Sequence, residues 1–307
     1  MPLISVIIPC FNAAATLGAT LEALRAQTLQ DWEALIVDDG STDESAEIAK
    51  HVAAKDPRIA LTRNPGRGPS AARNHAGLNL AKGRILAFCD ADDIWTPGKL
   101  EAVSKALDAG HADAVFGQTA FFAAHPSDAR SISGVSQGDI TIETLLGENP
   151  VCTLSNLSLG AEHFRALGGF DATLVHNEDL DFLIRLVGHG GQLRGLPGVH
   201  VYYRTSPSGL SADLAAMQAA RRRLLATAAR FGVTANRRNE AIYLRYLARR
   251  ALRLDLSPVL SARLALTGFV TDPGGFLSPV HRGLATLGAA CAAPILPGAT
   301  RRALFSK

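Results

Sequence analysis

Four times within about the first 120 residues a short apolar run gives way to a polar loop and then to a stretch with helical spacing. No other feature narrows the fold so far. Residues 3–8 lead through Pro9-Cys10-Phe11-Asn12 into residues 16–27, where Leu17, Leu21 and Leu24 recur at helical intervals. Residues 32–37 lead into Asp38-Asp39-Gly40-Ser41-Thr42-Asp43-Glu44, and Ser41 with Glu44 three residues on predicts a capping box for a helix through Ile48 and Val52. Residues 59–62 precede a glycine-rich loop and a helix through Leu78 and Leu80. Residues 85–89 stop at Asp90-Ala91-Asp92-Asp93, ahead of a helical stretch over 99–107. Strands that alternate with helices predict right-handed crossovers and a mostly parallel sheet covered on both faces. The loops that follow such strands share one edge, where open α/β sheets bind ligands.

The acidic loop carries the most chemistry. Clustered carboxylates repel one another unless a positive charge sits among them, and hard oxygen donors at Asp-x-Asp spacing suit Mg²⁺ or Mn²⁺. The bland alternative is a solvated turn that caps the next helix. Its position directly after a buried strand favours the first reading. Gly66-Arg67-Gly68-Pro69-Ser70-Ala71 formally fits the dinucleotide pattern G-x-G-x-x-A, with Asp90 about twenty residues on. That loop follows the third strand rather than the first, Pro69 stiffens its turn, and a nicotinamide cofactor is set aside. No Walker A sequence is present.

Residues 114–122 form another apolar run, 125–139 are loop-rich, and regularity returns at 141–146 and 155–159. Leu167-Gly168-Gly169-Phe170-Asp171 reads as a glycine-punctuated helix end. In the stretch from His176, Leu180, Leu183, Ile184 and Val187 form one helical face, which puts Glu178 and Asp179 in a first turn. Carboxylates there complement the helix dipole, or hold a proton acceptor ready on a rigid support.

Charge divides the chain. Residues 1–211 carry a net −8 and residues 212–307 a net +11, which sets a boundary between an α/β domain and a basic, mainly helical C-terminal region. In that region Leu244, Leu247, Ala248 and Ala251 share one helical face, with Arg245, Arg249 and Arg253 on another. Such a helix is either solvated on its basic side or set against an anionic membrane. Residues 283–300 are uncharged but broken by Pro294 and Pro297, so an interfacial or packed segment is expected rather than a span. No nucleic-acid recognition motif accompanies the charge. Cys10, Cys89, Cys152 and Cys291 are widely spaced and are expected as buried, reduced thiols of a cytosolic protein. The N-terminus lacks the basic start of a signal peptide.

Several motifs in one order resemble family 2 glycosyltransferases. They are Ser5-Val6-Ile7-Ile8-Pro9-Cys10-Phe11-Asn12, Val37-Asp38-Asp39-Gly40-Ser41-Thr42-Asp43, Ala72-Arg73-Asn74-His75-Ala76-Gly77, Phe88-Cys89-Asp90-Ala91-Asp92-Asp93, and Gly168-Gly169-Phe170-Asp171 followed by Glu178-Asp179. The resemblance runs from Ser5 to about Tyr203. It implies the GT-A fold, a Rossmann-like mostly parallel sheet with helices on both faces, with a C-terminal helical extension beyond it. It implies inverting transfer of a hexosyl group from a nucleotide-diphosphate sugar, UDP by family habit, to a glycan or lipid-linked acceptor in bacterial-type surface polysaccharide synthesis. By the same resemblance Pro9, Phe11, Asn12, Asp39, Arg73, Asp90 and Ala91 belong to the nucleotide, Asp92 with Asp90 to Mn²⁺ or Mg²⁺, and Asp179 with Glu178 to catalysis. Trp95, His176, Asp181 and Arg204 are candidates for acceptor or phosphate contacts, Trp95 as readily for packing. Residues 205–211 resemble the family's closing segment. The expected location is the cytoplasm, peripheral at the inner face of the cytoplasmic membrane. A sugar nucleotidyltransferase and a non-catalytic carbohydrate-binding protein are the alternatives.

Overall fold

The computed structural model describes residues 1–135, 138–205 and 213–305. Residues 206–211, most of the expected closing segment, lie outside them. The chain divides into two compact units, one comprising Met1–Ile140 with Pro150–Ser206 and the other Thr141–Asn149 with Pro207–Lys307.

The first unit opens with β1 (Ile4–Cys10), α1 (Leu17–Arg25), β2 (Trp32–Asp38), α2 (Ser45–Ala53), β3 (Ile59–Arg63), α3 (Gly68–Asn74) and β4 (Ile85–Phe88). β3, β2, β1 and β4 lie side by side and parallel, with Ile4 opposite Trp32 and Ile85, and Cys10 opposite Asp38. Successive strand side chains point to opposite faces. Ile4, Val6, Ile8 and Cys10 therefore enter a core with Leu17, Leu21 and Leu24 of α1 and Ala49 of α2. Ile7 points the other way, towards Phe164. A Cβ on Gly77 would meet Phe164 at 2.6 Å and Ile7 at 3.3 Å, so only glycine lets the turn after α3 lie against that face. The turn, His75–Leu80, is a π-helical one.

The unit continues with β5 (Ile94–Trp95), α4 (Lys99–Asp108), β6 (Ala114–Phe122) and β7 (Ser131–Ile132). The second unit's α5 (Ile142–Gly147) intervenes in sequence, before β8 (Ser158–Gly160), α6 (Ala161–Ala166), α7 (Glu178–Gly188) and β9 (Leu193–Arg204). β8 joins β4 and β6 antiparallel, and β6 runs parallel to β9, which carries β5 on its far side. β9 is longer than the sequence pattern marks because its whole length pairs with β6 across an irregularity at Phe116–Thr119.

Two local expectations are corrected here. Ser41 does not cap α2; its Oγ accepts the Asn12 N–H, and Asp43 instead accepts the N–H groups of Ser45 and Ala14 at 3.0 and 2.9 Å. Asp43 wins because it is closer to the helix start and binds two elements at once. Of the four cysteines Cys10 and Cys89 are buried, whereas Cys152 and Cys291 are exposed, and no disulfide joins them.

The second unit contains α5, α8 (Leu214–Ala229), α9 (Arg237–Arg253), α10 (Pro258–Thr271), α11 (Pro273–Phe276), α12 (Val280–Ala292) and α13 (Gly298–Phe305). Its core gathers Leu244, Leu247, Ala248 and Ala251 of α9 with Leu264, Ala265, Phe276 and Ala290. The apolar face of α9 is as the sequence marks it, but Arg245 is buried at 2% exposure rather than solvated. Gly283, Thr286 and Ala290 pack inward, and among the described residues no helix is long and apolar enough to cross a membrane.

Candidate functional site

Parallel pairing brings the C-terminal ends of β1, β2, β3 and β4 to one edge of the first unit. β4 ends at Phe88, and the loop that follows is tied down at several points. Ser155 Oγ accepts the Asp90 N–H at 2.8 Å, Thr153 Oγ1 donates to Asp90 Oδ2 at 3.4 Å, and Thr20 Oγ1 donates to the Ala91 carbonyl at 3.1 Å. Arg204 closes the other side, its N–H donating to Asp93 Oδ1 at 2.9 Å and its Nε to the Asp92 carbonyl at 3.1 Å. The acidic loop is thus held through its backbone at Asp90, Ala91 and Asp92 and through one carboxylate oxygen each of Asp90 and Asp93.

Those carboxylates differ in partner. Asp90 ion-pairs with Arg73, whose Nη1 also lies 3.8 Å from Glu178 Oε1. Arg73 is 4% exposed, and its Nε and Nη1 have no hydrogen-bond partner among the described residues. Burial, with Asp90 beside it, pushes the Asp92 carboxyl up to about 6. Asp93 is fully buried and held well above the usual carboxylate range by burial and by Asp90 and Asp92. Burial and the neighbouring Asp179 push Glu178 up to about 7, against the pull of Arg73.

An aromatic cluster sets where Glu178 and Asp179 stand. Phe88 of β4, Phe164 of α6, Phe170 and Phe182 of α7 meet with ring centroids 4.9–5.4 Å apart. Each such pair contributes about 0.5–1.5 kcal/mol beyond burial. Asn74, next to Arg73, clamps Phe170 by accepting its N–H and donating to its carbonyl, both at 2.8 Å. Gly169, at φ +74°, passes so close that a Cβ there would lie 2.4 Å from Asn74 Oδ1. Asn177, at φ +61°, then turns the chain so that α7 starts at Glu178.

On the β1–β2 side, Phe11 is 59% exposed at the rim, and Asn12, at φ +48°, accepts the Thr42 N–H through its side chain at 2.8 Å. Pro9 lies within β1. Asp39 accepts from Asn64 Nδ2 at 2.6 Å and from the Gly68 N–H at 2.8 Å, which fastens the glycine-rich loop to β2.

Two acceptor candidates are corrected. Trp95 is 3% exposed, with Nε1 donating to the Ser155 carbonyl at 2.9 Å and Lys99 Nζ 4.6 Å from the ring centroid. Its ring is core and cannot stack on a sugar. Asp181 is buried and ion-paired with Arg185 at 2.9 Å, because its helical position turns it inward. Arg204 is half-buried and gives its Nε to the Asp92 carbonyl and its Nη1 to the Ala124 carbonyl at 3.1 and 3.3 Å. His176 is half-buried, two residues before α7. Sequence reasoning missed Thr153, Ser155 and the buried Lys99, whose Nζ donates to the Ser155 carbonyl at 3.0 Å and whose ammonium is pushed down to about 7 by burial. Only the polar run Thr153-Leu154-Ser155-Asn156 before an apolar strand signalled part of this.

Among the described residues no three His, Cys, Asp or Glu side chains are grouped to enclose a metal ion. Asp92 nevertheless fits a hard divalent cation. Its carboxyl shares a partly buried place with Asp90 and carries negative charge at a cost that a cation would remove. A cleft of about 450 Å³ by Arg84, Asp113 and His163 lies at the opposite end of β4 and touches none of these groups.

Residues 5–156 match a family model described as glycosyl transferase family 2. The chain is 39% identical over 122 residues to an uncharacterized glycosyltransferase of Haemophilus influenzae, covering 39% of this chain and 48% of that protein. It is 32% identical over 143 residues to the glycosyltransferase GlyG of Streptococcus pneumoniae, covering 47% of each. With UDP-Glc:alpha-D-GlcNAc-diphosphoundecaprenol beta-1,3-glucosyltransferase WfgD of Escherichia coli it shares 42% identity over 100 residues, 32% of this chain and 38% of that one. The matches thus span less than half the length of these relatives. Among solved structures, S. aureus TarS 1-349 in complex with UDP-GlcNAc superposes at a TM-score of 0.57 and 19% identity, over 99% of this chain and 84% of that one. Mannosyltransferase PcManGT from Pyrobaculum calidifontis, in complex with GDP-Man and Mn²⁺, gives 0.54 and 23%, over 98% and 79%. At such identities the likeness establishes the fold, which is the GT-A arrangement.

Proposed function

The chain belongs to glycosyl transferase family 2 through residues 5–156, and from that membership we propose that it moves a sugar from a nucleotide-diphosphate sugar to an acceptor hydroxyl with inversion. The observation that carries the reading is Arg73, which pairs with Asp90 of the acidic loop and reaches Glu178 at the start of α7. One buried guanidinium with unused donors between two acidic motifs suits a diphosphate, which takes a planar fork of N–H groups.

In the proposed reaction Asp179 removes the acceptor proton as that oxygen attacks the anomeric carbon. The C1–O bond to the donor breaks on the opposite face, and its electron pair leaves on the β-phosphate oxygen. Asp92, with Asp90 beside it, would hold Mn²⁺ or Mg²⁺, which as a bound Lewis acid supplies charge neutralisation at the departing diphosphate. Arg73 orients the phosphates, Phe11 and Pro9 wall the nucleotide with Asn12 and Ala91 nearby, and Asp39 takes a hydrogen bond from the base. Glu178 tunes the carboxylate beside it. His176 faces the acceptor.

UDP is the proposed nucleotide, since WfgD is named for UDP-Glc and TarS was solved with UDP-GlcNAc. The proposed acceptor is a lipid-linked glycan in surface polysaccharide synthesis, in line with the diphosphoundecaprenol substrate in WfgD's name. We place the chain at the inner face of the cytoplasmic membrane, where the net +11 of residues 212–307 would favour anionic lipid. Incubation with UDP-, GDP- and dTDP-sugars, with and without Mn²⁺, tests the reading. Release of nucleoside diphosphate on addition of acceptor supports it; release of pyrophosphate, or binding without turnover, overturns it. Mn²⁺ with UDP is expected to raise the melting temperature of the wild type and not that of Asp92→Asn.

A further inference from the structure

The second unit holds a concentration of positive charge that the proposed reaction does not use. Glu148, just after α5, is approached by three guanidinium groups: Arg245 Nη2 at 3.2 Å, Arg282 Nη1 at 3.3 Å and Arg249 Nη1 at 3.8 Å. One carboxylate among three arginines leaves a surplus of two positive charges. All four residues lie within the same compact unit.

The surplus is not spread over a solvated face. Arg245 is 2% exposed, and its Nη1 is fixed by the carbonyls of Phe276 and Ser278, so its fork is set before any ligand arrives. Its Nε is buried without a hydrogen-bond partner. An unused donor on a buried charge is costly, and such a group calls for an acceptor. Arg249 and Arg282 are 28% and 30% exposed, so the cluster opens to solvent and an anion can enter. Burial first, and then the neighbouring Arg253, Arg282 and Arg245, push Arg249 down to about 10 against the pull of Glu148. Arg282 stands in the first turn of the 13-residue α12, whose N-cap Pro279 offers no side-chain acceptor, and the positive end of that helix adds to the field.

We propose that Arg245, Arg249 and Arg282 form a second anion site, specific for a phosphate or diphosphate group, in which Glu148 holds the arginines in place until the ligand displaces it. With Glu148 displaced, three guanidinium charges face the ligand, and the oxygens of a doubly charged phosphate or a diphosphate suit guanidinium forks. The phosphate is either that of a lipid headgroup or a free one. The proposal does not rest on sugar transfer.

The test uses the full chain and three proteins: wild type, Arg249→Gln/Arg282→Gln and Glu148→Gln. Pyrophosphate is expected to raise the wild-type melting temperature by about 2 °C at a tenfold excess over Kd. The double variant should bind at least about tenfold more weakly, through loss of charge-assisted bonds. Glu148→Gln, which removes the competitor, should bind more tightly than wild type. Equal affinity in all three proteins, or no binding by any, overturns the proposal. Because Glu148→Gln predicts a gain, misfolding of the double variant cannot mimic the full pattern. Phosphatidylcholine vesicles carrying phosphatidic acid separate the sources. Retention that falls in the double variant and rises in Glu148→Gln assigns the phosphate to a lipid, whereas the same order with pyrophosphate alone assigns a free one. The Mn²⁺-dependent part of UDP binding, which the transfer reading assigns to Asp92, should be unchanged in the same three proteins and separates this result from the fate of that reading.

Discussion

Glu178 and Asp179 are neighbours in the chain with different work to do. If Asp179 is the base, Asp179→Asn should lower transfer about a hundred- to ten-thousandfold while UDP still binds. Wild-type turnover in that variant would sink the assignment. Glu178 is expected to reveal itself through pH. Its carboxyl stands at about 7 against an ordinary 4.5, so the folded chain holds that proton more tightly than the unfolded one. The stability it contributes is complete below about pH 4.5 and is lost as pH rises through about 7. Thermal melts at pH 5 and pH 8 should therefore diverge less in Glu178→Gln than in the wild type, and an unchanged gap would show the carboxyl to be unperturbed. Arg73 makes the same point about legibility. Its motif was readable in the sequence, yet its pairing with both Asp90 and Glu178 was not, since those groups meet only through folding.

The start of α7 is an assembled feature. Asn74 grips the Phe170 backbone, Gly169 allows the close approach, and the Phe88–Phe164–Phe170–Phe182 cluster carries α7 to β4. Asn74→Ala leaves a buried N–H and carbonyl without partners and is expected to cost about 2–3 kcal/mol. It should also lower turnover without touching substrate, because Glu178 and Asp179 lose their fixed distance from the acidic loop. Denaturant titration alongside kinetics checks both, and full activity in a destabilised Asn74→Ala would break the link. The helical period of residues 178–187 was legible, but the buried side is not only the predicted leucines. Phe182 and Leu186 face the core with Leu183 and Ile184, while Leu180 and Val187 are half-buried. The period gives the stripe, and the aromatic cluster chooses its centre.

At the scale of the whole chain, each unit has apolar packing of its own. In the first, β-strands with α1, α2 and α4 enclose an apolar layer on one face of the sheet, and Ile7 with the phenylalanine cluster forms another on the opposite face. In the second, α9 is wrapped by α10, α11 and α12. Leu247 is fully buried in the second core, and Leu247→Ala is expected to cost about 2–5 kcal/mol there. UDP affinity, measured by calorimetry, should stay as in the wild type, because the proposed nucleotide residues all belong to the first unit. A tenfold loss of UDP affinity would mean that the second unit helps build the nucleotide site.

The sequence by itself determined the alternation of strands and helices, the carboxylates at strand ends and the change of charge after residue 211, because side-chain periodicity and charge are properties of neighbours along the chain. Only the tertiary structure decided which charges meet and which side chains turn inward. Trp95 reads as an aromatic beside an acidic loop, and Arg245 as one arginine on a basic face, yet both are buried. Their environments are made by Ser155 and Lys99, and by Glu148, Phe276 and Ser278. A local pattern marks an apolar stripe, but the burial of a polar or charged side chain such as Arg245 is decided by packing between distant segments.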